Sequence, residues 1–233
     1  MSKPVIAIIG AGPAGLAAAE VLSSYRCYDI HVYEQKPSAA RKFLMAGKTG
    51  LNISHNEPFD DFIQRYDQVD WLKPIVQKFD AEHIQSWMQD LGIQSYVGSS
   101  GRIFPNEMKA APLLRAWLAR LQQRGVRFFY RHRCLNLKDG ILSFQHLERT
   151  FNLQPDAIIL ACGAKSWPQL GSDGAWLNWL EQKIIEPFMP SNVGVRVKWS
   201  KFMADIFGQP LKRIQACVGD GERQFGEMVI SHY

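Results

Sequence analysis

The chain has 233 residues and a formal net charge of +5, and 46% of its residues are apolar. This length and composition are typical of a globular protein with one large or two small domains. They exclude a membrane span, because no apolar stretch reaches the roughly 18 residues that a spanning helix needs. The four cysteines are widely separated and form no CxxC pair, which predicts reduced thiols in a cytoplasmic protein and no metal site.

The first predicted element is a strand over Val5–Ile9, a continuous apolar run typical of a strand buried on both faces. An alanine-rich helix is predicted over Gly12–Ser24, and a second strand over Ile30–Glu34. Together these segments predict a βαβ unit. Residues 35–56 show no clear periodicity and are predicted to form a long functional loop.

Three helices are predicted in the middle of the chain, because apolar residues repeat along one face of each segment: Val69–Phe79, Ala81–Leu91 and Ala110–Arg124. Between the last two, the segment SYVGSSGRIFP predicts a hairpin with a Gly-Ser turn.

The remaining predicted elements are mostly short strands. They cover Val126–Tyr130, Cys134–Leu137, Ile141–Phe144 and the apolar run Asp156–Ala164. A short helix is predicted over Asp173–Gln182. From about Pro190 onward, short strands with turn signals indicate a second, β-rich unit.

Three glycines, Gly10, Gly12 and Gly15, fit the pattern G-x-G-x-x-G between the first strand and the first helix. The first permits a tight turn, the second lets the backbone approach a pyrophosphate, and the third lets the helix pack closely on the sheet. Pro13 and Ala14 begin the helix, whose N-terminus offers N–H groups and a positive dipole to phosphates. The motif predicts a dinucleotide site.

An acidic residue, Glu34, ends the second strand, where its carboxylate can accept hydrogen bonds from ribose hydroxyls. The same charge would repel a 2′-phosphate, which disfavours NADP at this site. The motif alone leaves NAD and FAD as alternatives.

The segment after Glu34 resembles a known family, the BaiN/RdsA-like (YhiN-type) NAD(P)/FAD-dependent oxidoreductases. ARKFLMAGKTGLNISH, residues 40–55, is similar to the glycine-rich loop of that family. It departs from the family pattern at Lys48, Thr49 and Leu51. GRIFPNEMKAAPLLRAWL (residues 101–118) and ILACGAKSWPQLGSDG (residues 159–174) also resemble family motifs and follow in the family's order.

The resemblance implies an α/β fold: a glutathione-reductase-type, FAD-binding Rossmann-like domain over residues 1–190. The start of an inserted β-rich domain is expected over residues 191–233. Family members are longer, so the chain is expected to be truncated at its C-terminus. The implied cofactor is FAD, reduced by NAD(P)H and passing a hydride to an unidentified small molecule, for which an unsaturated carbonyl compound is one candidate.

Motif and resemblance together give a set of candidate cofactor-binding residues, and no side chain is assigned a catalytic role. Arg41 and Lys42 are expected to neutralise the pyrophosphate or to bond ribityl oxygens, and Cys134 to present its main chain to adenine. The full set is Gly10, Gly12, Pro13, Ala14, Gly15, Glu34, Gln35, Arg41, Lys42, Gly47, Gly50, Asn52, Cys134, Ala161 and Gly163.

Two other functions remain as alternatives. The chain could bind FAD or another nucleotide without catalysing a reaction. It could instead bind RNA through the basic and aromatic stretch Arg127–Arg133, although alternation along a strand explains that stretch equally well. Nucleic acid is not the expected partner, and the sequence does not determine the oligomeric state.

Overall fold

The protein is described from a computed structural model. The structure describes residues 2–47, 50–67, 69–189, 194, 196–217, 219–221 and 223–231. The chain divides into two compact units, Met1–Pro187 and Phe188–Tyr233, and each is described by itself. The domain boundary that the sequence suggests at residue 190 stays a prediction.

The first unit contains ten strands and six α-helices among its described residues. The strands are β1 (Val5–Ile9), β2 (Asp29–Glu34), β3 (Ser54–His55), β4 (Ser95–Val97), β5 (Arg102–Pro105), β6 (Arg127–Tyr130), β7 (His132–Lys138), β8 (Ile141–His146), β9 (Arg149–Leu153) and β10 (Ala157–Leu160). The helices are α1 (Pro13–Ser24), α2 (Arg41–Ala46), α3 (Phe59–Ile63), α4 (Val69–Val76), α5 (Ala81–Asp90) and α6 (Ala110–Gln123).

A four-stranded parallel sheet in the order β10-β1-β2-β6 forms the centre of this unit. Chain order therefore reverses at β1, since β2 and β6 lie on one side of it and β10 on the other. Such a switch point opens a crevice at the carboxyl ends of the strands, where ligands of open α/β sheets bind.

Helices α1 and α6 cover one face of the parallel sheet. Leu16 of α1 and Leu121 of α6 are fully buried in a core that also contains Ile8 of β1. Glu20 joins the two helices at the edge of this core, where its carboxylate accepts hydrogen bonds from Trp117 Nε1 at 2.8 Å and from Arg124 at 2.8 Å. This packing fixes the direction in which α1 leaves the sheet.

The antiparallel meander β7-β8-β9 contributes the core on the other face. Phe144 of β8 is fully buried there, and its ring centroid lies 4.5 Å from that of Tyr33 in β2. Tyr33 also stacks on Phe129 of β6 at 4.8 Å. Each strand of the parallel sheet thus has one face toward helices and the other toward the meander, which explains the continuous apolar run of β1.

A third core lies between α5, α6 and the loop that precedes β3, with Met88, Leu51 and Leu113 buried in it. The small antiparallel sheet β3-β5-β4 belongs to the same unit. Helix α5 begins at an aspartate cap, because Asp80 Oδ1 accepts hydrogen bonds from the N–H groups of Glu82 and His83.

The second unit contains an antiparallel hairpin of β11 (Pro210–Ala216) and β12 (Gln224–Val229). A 3-10 helix over Lys201–Ile206 precedes it. The β-rich character expected of this part is therefore present among its described residues. The segment PSNVGVRV, where the sequence suggests a first strand, lies largely outside the described residues.

The structure confirms the predicted βαβ unit, the hairpin and helices α5 and α6. One expectation is wrong. Residues 35–56 are not one irregular loop, because they contain α2 and β3, and Phe43 and Leu44 of α2 pack against the helix-side core. The short helix predicted over Asp173–Gln182 is present in part, as a 3-10 helix over Ala175–Trp179. Both segments are too short to show a clear 3.6-residue period.

We predict that Phe144→Ala lowers the free energy of unfolding by about 3–5 kcal/mol, because it leaves a cavity between the meander and the parallel sheet. Ile141→Ala on the same strand is the matched control, since that side chain is 37% exposed, and its cost should stay below about 1 kcal/mol. Urea denaturation followed by circular dichroism measures both. Equal losses of unfolding free energy in the two variants would show that the meander does not form part of the core.

Candidate functional site

The three glycines of the G-x-G-x-x-G motif differ in why a side chain is absent at each position. A Cβ at Gly10, whose φ is +108°, would lie 2.4 Å from the carbonyl oxygen of Ala161. A Cβ at Gly15 would lie 1.9 Å from the carbonyl oxygen of Gly10. At Gly12 the corresponding position has no described atom within 4 Å, apart from those of Gly12 itself and its neighbours in the chain. Gly10 and Gly15 are therefore required by packing, whereas Gly12 faces open space.

Helix α1 begins beside this open space. Gly12 is the N-cap, Pro13 is the first helical residue, and Leu16 is the residue whose N–H bonds back to Gly12 O, at 2.9 Å. The N–H groups of Ala14 and Gly15 have no acceptor within the helix by the geometry of a helix start. The first turn carries no acidic residue. The helix dipole and these donors therefore favour an anion at this point.

Glu34 is held by the backbone at the carboxyl end of β2. Its Oε2 accepts a hydrogen bond from Ala11 N at 3.0 Å, and its Oε1 accepts one from Lys36 N at 2.8 Å. Burial raises the pKa of this carboxyl, and the two backbone donors oppose that rise. A carboxylate has about four lone-pair sites. Each oxygen therefore keeps capacity for one further hydrogen bond, as two adjacent ribose hydroxyls would require.

The glycine turn and Glu34 open into one cavity of about 260 Å³. The cavity lies at the carboxyl ends of β1 and β2, between the start of α2, strand β7 and the segment after β10. Most of the candidate residues line it: Gly10, Gly12, Pro13, Ala14, Glu34, Gln35, Arg41, Lys42, Cys134, Ala161 and Gly163. Long-range folding thus brings together residues that are up to about 150 positions apart in the chain.

Helix α2 supplies two cations that line the cavity, Arg41 and Lys42, and β7 supplies a third, Arg133. Arg41 Nη1 lies 3.4 Å from Ser38 Oγ, and the buried Arg41 Nε has no hydrogen-bond partner among the residues that the structure describes. Lys42 Nζ lies 3.2 Å from Ser166 Oγ. A buried guanidinium nitrogen without a partner is costly. An anionic ligand in the cavity would offset that cost.

The segment after β10 closes the cavity and is held by several hydrogen bonds. Ser172 is 3% exposed, and its hydroxyl lies 3.2 Å from the carbonyl oxygen of Cys162 and also contacts that of Ala164. Gln35 Nε2 donates to Gly171 O at 2.7 Å, which ties this segment to the end of β2. These hydrogen bonds therefore fix the segment after β10 in place as one wall of the cavity.

The cysteines of the cavity are not arranged for thiol chemistry. All four cysteines of the chain are free, as the sequence suggests. Burial raises the pKa of Cys134 to about 11 and that of Cys162 to about 12. Both are therefore thiols at neutral pH and act as small apolar groups in the cavity wall.

Four candidate residues lie outside the cavity lining. Gly15 packs against the glycine turn beneath it, and Gly47 packs against α6, where a Cβ would lie 2.6 Å from Ala110 Cβ. Gly50 and Asn52 belong to the described part of the loop beyond α2, and neither of them lines the cavity. Their proposed contact with the cofactor stays a prediction, and for Gly47 packing already explains the glycine.

Sequence reasoning missed several residues of the cavity, among them Ser38, Ser172, Trp176 and Trp179. Ser38 carried a weak signal, since it lies between Glu34 and the basic pair of α2. The two tryptophans are spaced three residues apart, which is typical of the buried face of a helix. Nothing in the sequence shows that the 3-10 helix places them in the cavity wall.

The basic and aromatic stretch that suggested RNA binding is distributed between two cores. Phe128 and Tyr130 pack against the helix-side core, and Phe129 packs against the meander-side core. Arg127 forms an ion pair with Asp29 of the neighbouring strand. Strand alternation therefore explains the pattern.

Among the described helices, none has the length and apolarity needed to cross a membrane. In the described parts of the chain, no three His, Cys, Asp or Glu side chains come together as a possible metal site.

Fold and cavity define a Rossmann-type domain of the dinucleotide-binding class: a parallel sheet with a switch point, a glycine turn, a helix N-terminus and an acid at the end of β2. The chain belongs to the HI0933-like protein Rossmann domain family, whose pattern it matches over residues 4–204. This match confirms the family expected from the motifs.

Among the known proteins that are similar to this chain are a bacterial reductase and THI4. The 3-dehydro-bile acid delta(4,6)-reductase of Clostridium scindens is 25% identical over 233 residues, which cover 98% of this chain and 56% of that protein. The chain thus spans little more than half the length of this relative. The crystal structure of THI4 from Thermovibrio ammonificans superimposes with a TM-score of 0.50 at 14% identity, over 78% of this chain and 63% of that one. At that identity the likeness shows the shared fold.

We predict opposite behaviour for two glycine substitutions. Gly15→Ala should lower the free energy of unfolding by about 3 kcal/mol, because its Cβ meets backbone rather than a flexible side chain. Gly12→Ala should change it by less than about 1 kcal/mol, because the position is open and its backbone is extended, with φ −79° and ψ 178°. Urea denaturation compares them, and similar losses would contradict the assignment.

We also predict that Cys134 and Cys162 resist alkylation. With a pKa of about 11, only about one Cys134 in a thousand is a thiolate at pH 8, and Cys162 is still less ionised. The exposed Cys27 is the internal control. Iodoacetamide labelling followed by mass spectrometry should modify Cys27 first. Labelling of Cys134 at the same rate would mean that the cavity wall opens in solution.

Proposed function

We propose that this chain binds FAD and is the cofactor-binding part of a flavoprotein oxidoreductase. With FAD bound, the whole protein would take hydride from NAD(P)H and deliver it to a small-molecule substrate of the unsaturated carbonyl class. The observation that carries the proposal is the meeting, in one cavity, of an open-faced Gly12 at a helix N-terminus and a backbone-held Glu34.

These two groups fit the two ends of a ribose pyrophosphate. The N-terminus of α1 suits the pyrophosphate, since it offers N–H donors and no side chain obstructs the approach at Gly12. The carboxylate of Glu34 suits the ribose, since both oxygens are oriented and both retain lone pairs. A 2′-phosphate would meet the same negative charge, which supports FAD over NADP as the resident ligand.

The cations of α2 supply a further test of fit. Arg41 lines the cavity with a buried nitrogen that lacks a partner in the described part of the chain, and an anionic phosphate would provide one. The cavity of about 260 Å³ lies just below the roughly 300–1,000 Å³ of typical small-molecule sites. It therefore suits the ADP half of FAD better than the whole cofactor.

The bound flavin would supply hydride acceptance and donation, chemistry that protein side chains lack. The residues of this chain would bind and orient it. Gly12 and α1 would hold the pyrophosphate, Glu34 the ribose, and Arg41 a phosphate oxygen. Because burial raises the pKa of both cavity thiols, neither Cys134 nor Cys162 supplies a reactive thiolate.

The NAD(P)H donor is proposed from the family resemblance, and the substrate class from one relative. The name of the Clostridium scindens protein describes a reductase acting on a 3-dehydro-bile acid at delta(4,6), which supports a substrate with unsaturation and a carbonyl group. The size of the described cavity favours a second candidate, a module that binds the ADP portion of nucleotides without catalysis.

One experiment tests the proposal and separates these candidates. The purified chain is incubated with FAD and desalted, and the visible absorbance spectrum is recorded before and after anaerobic addition of NADH or NADPH. Retained flavin bands that bleach on addition support the oxidoreductase. Retained bands that do not bleach favour the binding module, and a colourless soluble protein would contradict FAD binding by this chain.

We predict that Glu34→Gln weakens FAD binding by about 10- to 100-fold, because an amide replaces one acceptor oxygen of the charged carboxylate. The wild-type affinity should also fall as the pH is lowered through the pKa of Glu34. Because burial raises that pKa, the loss begins at a higher pH than for an ordinary glutamate.

Fluorescence titration of FAD against pH measures both effects. Glu148→Gln, in the exposed turn between β8 and β9, is the control and should bind as the wild type does. A Glu34→Gln protein with unchanged affinity and the same pH profile would remove Glu34 from the site.

A further inference from the structure

Strand β4 is an edge strand, since it pairs with β5 alone in the sheet β3-β5-β4. In the described part of the chain, no strand pairs with its outer edge. Its register with β5 is continuous, and it contains neither lysine nor proline, the residues that commonly block such an edge. Apart from its shortness, the outer edge of β4 is therefore unprotected against pairing with another extended chain.

The residues that flank β4 show how its main chain is directed. Before the strand, Gln94 O accepts a hydrogen bond from Asn106 N at 2.9 Å, and after it, Gly98 N donates to Arg102 O at 2.8 Å. Both flanking residues therefore bond inward, toward the β5 side. Because the bonding direction alternates along an antiparallel strand, Tyr96 in the middle of β4 also bonds toward β5.

The same alternation directs the main chain of Ser95 and Val97 away from β5. Their partners in the register agree with this direction. Pro105, opposite Ser95, has no N–H to donate. Ile103, opposite Val97, uses its carbonyl oxygen to accept from Ile53 N at 3.0 Å, on the far side of β5. Two N–H and two C=O groups therefore lie along the outer edge of β4.

A groove of about 320 Å³ lies between β4 and helix α5. Its lining residues are all polar: Glu82, Gln85, Ser86, Gln89, Gln94 and Ser95. Gln85 Nε2 lies 3.4 Å from Ser95 Oγ, so the side of β4 that carries the Ser95 side chain is turned toward the helix. A chain added to the edge of β4 would bond through its main chain, and its side chains on that side could reach the groove.

The charge of α5 indicates which partner fits. From Asp80 to Asp90 the helix and its cap carry three acidic residues and no lysine or arginine, although the whole chain has a net charge of +5. Glu82 is exposed and is the charged residue among those that line the groove. Amide and hydroxyl groups make up the rest of the lining, so the groove is complementary to a polar segment with a positive charge.

We propose that the outer edge of β4 and the groove beside α5 form a docking surface for an extended segment of a partner polypeptide that carries lysine or arginine. The segment adds a strand to the sheet, bonds to the main chain of Ser95 and Val97, and places a cation near Glu82. The short edge limits the pairing to about four hydrogen bonds, which is typical of a transient contact. None of these residues lines the cofactor cavity, so the inference is independent of FAD binding.

Model peptides test this surface by NMR titration of the purified chain. The probe is an acetylated hexapeptide of alternating lysine and threonine, whose lysines share one face of an extended strand. A peptide with glutamate in place of lysine should bind at least about tenfold more weakly. Methylation of the main-chain nitrogens keeps the charge of the lysine peptide but removes its donors, and should also weaken binding about tenfold. Equal affinity of the three peptides would overturn the proposal, as would no binding of the lysine peptide.

Two variants test the two halves of the surface separately. Val97→Pro removes an outward N–H, a change that an edge strand accepts, and Glu82→Lys reverses the charge of the groove. Each should weaken binding of the lysine peptide about tenfold. Glu148→Lys, in the exposed turn between β8 and β9, is the matched control and should stay within about twofold. Wild-type affinity in folded Val97→Pro and Glu82→Lys proteins would remove β4 and α5 from any docking surface.

Amide hydrogen exchange of the wild-type chain provides a test that depends on no variant. In the free chain the N–H groups of Ser95 and Val97 should exchange faster than that of Tyr96, which bonds toward β5. The lysine peptide should slow exchange at Ser95 and Val97. Unchanged exchange with the peptide bound would contradict strand addition. Protection that rises with chain concentration in the absence of peptide would assign the edge to a second copy of this chain and overturn the proposed partner.

Discussion

The contact between the Gly10 carbonyl and the Cα of Gly15 is the constraint on which the site depends. A methyl group at Gly15 would lie 1.9 Å from that oxygen, so β1 and α1 approach as closely as two backbones can. Ala161 closes the same crossing from β10, within 2.4 Å of a Cβ at Gly10. The N-terminus of α1 is thereby placed in the crevice between β1 and β10, where the chain order of the sheet reverses.

Glu34 completes this arrangement at an energetic cost. Burying a carboxylate is unfavourable unless hydrogen bonds replace its water, and burial raises the pKa of Glu34 accordingly. The N–H groups of Ala11 and Lys36 offset part of that cost, and both belong to turns at the ends of neighbouring strands. A residue serving packing alone would not need a charge here. A half-satisfied carboxylate beside a helix N-terminus is better explained by a ligand that uses its remaining lone pairs.

The sequence predicts those parts of the fold that repeat or that follow a local motif. The continuous apolar run of β1 and the helical spacing of apolar residues in α6 were sufficient to predict these two elements, because burial leaves a recognisable pattern in each sequence. Helix α2 escaped prediction, since it has six residues and starts from Ala40 in a left-handed conformation, with φ 52°. Its position depends on a tertiary contact, the hydrogen bond from Ala40 N to Ala11 O at 2.9 Å.

The same distinction applies to the cavity. Glu34 and the glycines could be found because the motif is contiguous with the βαβ unit, whereas Trp176 is brought to the site by the hydrogen bonds of Gly163 and Ser172. Gly47 shows the opposite error, since a family motif glycine turns out to be required by the contact between α2 and Ala110. A glycine in a binding motif therefore gives evidence of a ligand only where its Cβ would enter open space. Among the motif glycines, Gly12 meets that condition, and this is why it carries more weight for nucleotide binding than Gly10 or Gly15.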